Sequence, residues 1–480
     1  HWEIQGWMIL ILGWVFVPFY SRSMVYTMPE FLERRYNPQS RTILSVISLV
    51  SYVLTKVAVT VYAGGLVFQQ VFGIKELWGI DFFWIAAIGL VVLTALYTIF
   101  GGMKSVLYTS VLQTPILLLG SLIILVLGFK ELGGWDEMMR VCGAVTVNDY
   151  GDTMTNLIRS NDDANFPWLG ALIGSAIIGF WYWCTDQFIV QRVLSGKNEK
   201  EARRGTIFGA YLKLLPVFLF LIPGMIAFAL HQKYIGAGGE GFLPMLANGT
   251  ANADAAFPTL VAKLLPAGVK GLVVCGILAA LMSSLASLFN SSAMLFTIDF
   301  YKRFRPETPE KKLVGIGQIA TVVIVILGIL WIPIMRSVGD VLYTYLQDVQ
   351  SVLAPGIAAA FLLGICWKRT SAQGGMWGLI AGMIIGLTRL GAKVYYSNAG
   401  EVADSTFKYL FYDMNWLFFC GWMFLFCIIV VIVVSLATEA PTAEKIQGLV
   451  FGTATKEQKA ATRASWDHWD IIHTVIILAI

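Results

Sequence analysis

Several ionisable and hydroxyl-bearing residues stand inside long apolar runs, where burying them is costly and marks them as functional candidates. Lys213 lies within IFGAYLKLLPVFLFLIPG, too far in for its ammonium to reach water easily. There it either serves a solute or pairs with a structural partner. Glu3 opens the first apolar run and offers a carboxylate to hydroxyl groups. Lys56, in SYVLTKVAVTVYAGG, has no acid at helical spacing and reads as a structural or gating residue. Gln347, in YTYLQDVQSVLAPG, suits a polar ligand or a helix–helix hydrogen bond. The run Phe180-Trp181-Tyr182-Trp183-Cys184-Thr185-Asp186-Gln187 is unusual, because adjacent large aromatics point in different directions around a helix and cannot form one core stripe. Two readings stand for it: rings that stack on the C–H faces of a sugar, or an aromatic belt at a membrane interface. Ser283, Ser284 and Ser287 interrupt GLVVCGILAALMSSLASLFNSSAMLF. Hydroxyls there pack helices together or, with an unwound carbonyl, supply the several oxygens that a hard cation such as sodium takes.

The elements that must position these groups are membrane helices. The 480 residues are 57% hydrophobic and 13% charged, against about 25% charged in a soluble domain. A spanning helix needs about 20 apolar residues. Candidate segments are 3–20, 43–72, 82–100, 105–129, 167–189, 207–230, 268–298, 313–335, 345–366, 374–391, 414–437 and a partial one from 469. One set of connections carries Arg22, Arg34, Arg35 and Arg41, then Lys104, Arg192 to Arg204, Lys302 to Lys312, Lys368, Arg369, and Lys445 to Arg463. The positive-inside rule places that set in the cytoplasm, with 131–166 and 231–266 outside. The polar stretch 438–468 reads as a cytoplasmic linker, and 469–480 as the start of a last helix. The chain starts at His1 and stops at Ile480 in mid-run, so both ends are expected to be truncations. A net charge of +4, with basic residues in loops, speaks against nucleic-acid binding. The six cysteines form no CxxC or Cys/His cluster, so neither a zinc site nor a disulfide framework is expected. No nucleophile–base pair, nucleotide loop or metal-ligand motif suggests an enzyme.

Taken in order, GWVFVPFY, TMPEFLERRY, LYTIFGGMKSV, WYWCTDQFIVQRVLS, YLKLLPVF, LMSSLASLFNSSAMLFTIDFYKR and LAPGIAAAFLLGICWKR resemble the sodium/glucose cotransporters of the solute:sodium symporter family. FWYWCTDQFIVQR points to the sugar and inositol branch rather than the proline, pantothenate or sialate branches. The resemblance implies an all-α, LeuT-like fold of two inverted five-helix repeats with accessory helices. The site then lies near the midplane beside broken helices. The family's first core helix would precede His1, so residues 1–437 hold the core without it.

By the same resemblance, Glu3 corresponds to the carboxylate that accepts sugar hydroxyls. Tyr182 corresponds to the aromatic that stacks on the pyranose and closes the inner gate, flanked by Trp183. Lys213 and Gln347 correspond to polar partners of the sugar, and Trp2 and Tyr343 to outer-gate aromatics. Ser283 and Ser284, with the Ala280 carbonyl, correspond to the sodium site. Three positions depart from the pattern: Gly179 replaces an Asn or Ser, Ser110 an Asp, and Ala286 a hydroxyl of two-sodium members. One sodium per sugar is therefore expected. The implied activity is symport of a glucose- or galactose-like hexose with sodium by alternating access, across the plasma membrane or a bacterial inner membrane. A sodium/myo-inositol or other polyol symporter, or a non-accumulating sugar sensor, are the alternatives. Sodium is the co-transported ion, with no organic cofactor and no obligate protein partner expected.

Overall fold

The computed structural model describes residues 6–23, 25, 27–246, 249–338, 341–399 and 403–480, with side chains described at all of these except 97, 99–106, 109 and 336–338. Trp2 and Glu3 lie outside the described residues. The helices run α1 Gly6–Ser23, α2 Met28–Arg35, α3 Pro38–Phe72, α4 Phe82–Leu132, α5 Trp135–Gly143, α6 Trp168–Thr185, α7 Gln187–Leu194 and α8 Glu199–Gly236. They continue with α9 Ala256–Leu264, α10 Ala267–Phe304, α11 Glu310–Val338, α12 Leu342–Cys366, α13 Ala372–Asn398, α14 Trp416–Ala437, α15 Lys456–Ala464 and α16 His468–Ala479. Among the described residues nine helices are long and apolar enough to cross a membrane, and the bent pair α1–α2 adds a tenth. Phe82–Leu96 and α16 are shorter apolar helices. Helices of this kind satisfy their backbone groups internally, the condition for crossing hydrocarbon.

Local sequence sets the ends. Thr27, Asn37, Asp186, Asn198, Ser371 and Asn415 cap helix starts with their side chains. Between α3 and α4 a two-residue turn, Trp78-Gly79, joins strands β1 Glu76–Leu77 and β2 Ile80–Asp81. Both turn residues have positive φ (56° and 76°), the geometry that matches strand twist in a tight hairpin. Several spans contain a π-helical turn, notably 52–57 in α3, 180–185 in α6 and 295–301 in α10. Such turns widen a helix and collect at functional positions.

Between 82–100 and 105–129 the sequence reading places a loop at Lys104, whereas the backbone is helical throughout Phe82–Leu132. Gly101 and Gly102 lower helix propensity without removing an N–H, so helical bonding survives there. The reversal is nevertheless present. Leu90 and Leu281 both flank Gly64, while the Ser110 hydroxyl lies 2.6 Å from that of Ser283. A straight helix would hold Leu90 and Ser110 about 30 Å apart. Beyond the turn the second arm runs antiparallel to α10, with Ile116 against Gly276 and Val273 against Gly120. The second arm, from Ser110, is long and apolar enough to cross a membrane, and Phe82–Leu96 forms the shorter apolar arm.

Candidate functional site

The span that begins at Trp168 ends its helical path at Thr185. Asp186 is extended (φ −80°, ψ 127°) and its side chain caps the start of α7 by accepting the Phe188 N–H at 3.0 Å. The wide turn just before it carries Trp181, Tyr182 and Trp183, with the Tyr182 ring 5.1 Å from Trp183 and 6.3 Å from Trp181. Tyr20 donates its hydroxyl to the Cys184 carbonyl at 2.6 Å, pinning this turn to α1.

Against it packs another wide turn, 52–57, with Lys56. Only 8% of Lys56 and 5% of Asp186 are exposed, and the two form a buried ion pair. The Tyr52 hydroxyl donates to the same carboxylate at 2.8 Å. The ammonium is ringed by aromatic faces, 4.4 Å from the centre of Phe188, 4.8 Å from Tyr52 and 5.0 Å from Tyr182. Ring faces carry negative potential and attract a cation. A buried charge persists only when paired and bonded, and removing one partner strands the other.

Lys213 of α8 lies 5.9 Å from the centre of the Trp183 ring. The structure thus brings Tyr182, Trp183 and Lys213 into one neighbourhood. Gln347 is on α12, which packs against the 180–185 turn. It is 6% exposed, and its Oε1 is buried without a hydrogen-bond partner among the described residues. Its neighbour Asp348 pairs with Lys393 and lies 3.9 Å from Arg389. Tyr343, one helical turn before Gln347 and on the same face, is 38% exposed. It lines a cavity of about 290 Å³ with Val59, Leu66, Asp254, Phe257 and Leu346. Asp254, from the segment that leads into α9, accepts the Leu342 N–H on both carboxylate oxygens at 3.1 Å, capping α12 beside Tyr343. Burial pushes the Asp254 carboxyl up from its ordinary range, while the Leu342 N–H draws it back.

On α10, Ala280, Ser283 and Ser284 follow a spacing that puts them on one face. Ser283 is buried and Ser284 partly so. The Ser110 hydroxyl, on the second arm of α4, bonds that of Ser283. Ser110 therefore occupies the flank of this oxygen cluster, with a hydroxyl where the family pattern has a carboxylate. Ala286 is fully buried in the main core, and Gly179 is buried just before the aromatic turn. Arg192, at the end of α7, donates to the Ser287 hydroxyl and to the Ser283 carbonyl at 3.4 Å.

Sequence reasoning singled out Lys56 but not its partner, which lies 130 residues away. A signal existed: Asp186 is the one acid in the aromatic run, and a lysine deep in an apolar segment demands an acid somewhere. The Arg192–Ser287 contact left no local trace, since it joins separate helices.

The profile of the Sodium:solute symporter family matches residues 3–382. The chain belongs to that family. The symporter is 37% identical to a sodium/mannose cotransporter of Bos taurus over 94% of this chain and 76% of that one. It is 35% identical to sodium/myo-inositol cotransporter 2 of Homo sapiens over 94% and 68%, and 37% identical to sodium/glucose cotransporter 1 of Ovis aries over 90% and 67%. Its fold matches that of a Na+-coupled sialic acid symporter solved in a substrate-bound outward-open state, with a TM-score of 0.68 at 21% identity, covering 92% of this chain and 84% of that one. The symporter is a multi-pass membrane protein with the LeuT-like fold expected from its sequence.

Proposed function

We propose that this symporter moves a small polyhydroxylated solute, a glucose- or galactose-like hexose, together with sodium by alternating access. The observation that carries the reading is the juxtaposition on α7. The aromatic turn with Tyr182 stands at one end of this helix, and the serine cluster of α10 at the other. Sodium, as co-transported substrate, would be held by the Ser283 and Ser284 hydroxyls and the Ala280 carbonyl. Tyr182 and Trp183 would offer faces to the sugar ring, and Lys213 and Gln347 would bond its hydroxyls. Gln347 has the acceptor to spare, since its buried Oε1 has no partner among the described residues. Tyr343 would close the outer side. Glu3 and Trp2 keep their proposed roles as sugar carboxylate and outer-gate aromatic. Ser110 and Ala286 in place of acid and hydroxyl support one sodium per sugar, a stoichiometry that reversal potentials measure.

Sodium supplies enough drive. One charge moving through 100 mV releases about 2.3 kcal/mol, and a tenfold gradient about 1.4 kcal/mol more. Together they sustain an accumulation on the order of several hundred-fold. The setting is transport across a plasma membrane rather than catalysis. Residues 438–468, the proposed cytoplasmic linker, pack along helix ends: Phe451 meets Phe19 edge-on at 5.2 Å and its N–H bonds the Ile365 carbonyl. Uptake into proteoliposomes, with and without a sodium gradient, across glucose, galactose, mannose and myo-inositol tests the reading. Sodium-driven accumulation of a hexose is the expected result. A polyol substrate is the second reading, favoured by the likeness to sodium/myo-inositol cotransporter 2. Competition of labelled hexose by myo-inositol separates the two.

A further inference from the structure

Arg192, Lys56 and Asp186 have no place in the proposed function, yet all three meet at α7. This helix is two turns long and stands between the aromatic turn and α10. At its start, the Asp186 carboxylate caps it, takes the Tyr52 hydroxyl and pairs with Lys56, whose ammonium lies over the Tyr182 ring. At its end, Arg192 bonds the Ser287 hydroxyl and the Ser283 carbonyl, and Gln191 bonds the Ser291 hydroxyl and the Ser287 carbonyl. The Phe188 ring fills the space between the two cations, 4.4 Å from Lys56 and 5.0 Å from Arg192. Both ends of the helix are thus fixed by charges whose partners sit on other helices.

We propose that α7 is the lever that couples ion occupancy to the gate, with Arg192 as its ion-side positioning residue and the Lys56–Asp186 pair as its gate-side latch. The inference rests on the reading of Ser283 as a sodium ligand and Tyr182 as a gate. A sodium ion among the α10 oxygens meets the Arg192 guanidinium, which already holds the Ser283 carbonyl. In a medium of low dielectric, like charges this close repel strongly. The arriving cation therefore loosens Arg192 from α10 and frees the far end of α7. Two helical turns transmit a displacement nearly as a rigid rod. Movement at Arg192 thus reaches Asp186, and through Lys56 the ring of Tyr182. An ion that biases this one element biases the sugar site with it, which is what coupling requires.

The test uses the full-length protein in proteoliposomes, with radiolabelled glucose, mannose or myo-inositol as probe, whichever the parent accumulates best. Apparent probe affinity is measured at low and at saturating sodium in the parent, in Arg192→Gln and in Arg192→Lys. Coupled sites differ about 5- to 150-fold in affinity. Arg192→Gln should reduce that ratio to below about twofold, while maximal uptake stays near the parent's, a split that a loss of folding does not produce. Arg192→Lys keeps the charge but moves the donor, since one guanidinium nitrogen, Nη2, now reaches both the Ser283 carbonyl and the Ser287 hydroxyl, and should give an intermediate ratio. It carries the test alone if Arg192→Gln does not reach the membrane. A parental ratio in the variants overturns the lever. Ser283→Ala separates the two claims. If it leaves sodium activation intact, the ion-site reading is wrong and the lever falls with it. If it abolishes activation while the Arg192 variants keep the full ratio, the lever alone is wrong.

Discussion

Two regions of this symporter are assembled on opposite principles. Around α7 the contacts are ionic and hydrogen-bonded: Lys56 to Asp186, Arg192 to Ser287, Ser110 to Ser283. Where α12, α13 and α14 meet, backbone lies on backbone. A Cβ on Gly382 would fall 2.6 Å from the Gly356 Cα, one on Gly386 2.2 Å from the Val352 carbonyl oxygen, and one on Gly374 2.8 Å from that of Val431. Every residue of α12 from Gln347 to Phe361 is buried. Tyr36 and Arg35 tie its C-terminal end, donating to the carbonyls of Ala360 and Gly364 at 2.7 Å. Small residues let membrane helices approach closely enough for dispersion to hold them. Close-packed backbones cannot slide without clashing, whereas charges and hydroxyls can exchange partners at little cost in shape. The comparison separates a close-packed scaffold from a region whose contacts can be exchanged.

Substitutions should separate the regions by what they damage. The largest effect is expected for Lys56→Met, which leaves the Asp186 carboxylate buried and unpaired. Thermal unfolding of the purified protein should show a loss of about 3–5 kcal/mol, and the double variant with Asp186→Asn, which keeps an acceptor for the Phe188 N–H and the Tyr52 hydroxyl, should recover most of it. Next comes the scaffold. Gly382→Ala should cost about 1–3 kcal/mol by overpacking, while the sodium activation curve of the protein that does fold stays unchanged. An altered curve would mean that the glycine seam moves during transport. Lys213→Ala should weaken apparent sugar affinity by about tenfold, the scale of one charged hydrogen bond, with the melting temperature held. Smallest is Ser284→Ala, expected to raise the half-saturating sodium concentration about fivefold, for the loss of one neutral oxygen contact. Unchanged sodium activation there would remove the ion-site assignment.

Much of the fold was legible because a bilayer imposes a length and a hydropathy that any spanning sequence must show. The candidate segments fall on helices, two of them on the single helix α4, whose doubling back follows from Leu90 and Leu281 both flanking Gly64 while Ser110 meets Ser283. The wide turns at 52–57 and 180–185 were not legible. They depend on a few hydrogen-bond shifts that composition does not encode, although Lys56 and the aromatic run mark both places. The site was legible by residue type and hidden in its pairings. Lys213 beside Trp183 and Ser110 beside Ser283 are contacts between distant helices. Periodicity along one helix says which face a residue occupies, not what stands opposite. The Asp254 cap on α12 is of the same kind, joining the segment before α9 to the helix of Tyr343.

The central claim is that oxygens on α10 bind sodium and that this binding decides which way the aromatic cavity opens. The direct measurement is uptake of labelled hexose by proteoliposomes under an inward sodium gradient, repeated with potassium or choline in its place. Accumulation above the external concentration with sodium, and mere equilibration with the other two cations, is the predicted result. Equal uphill accumulation with choline would contradict it.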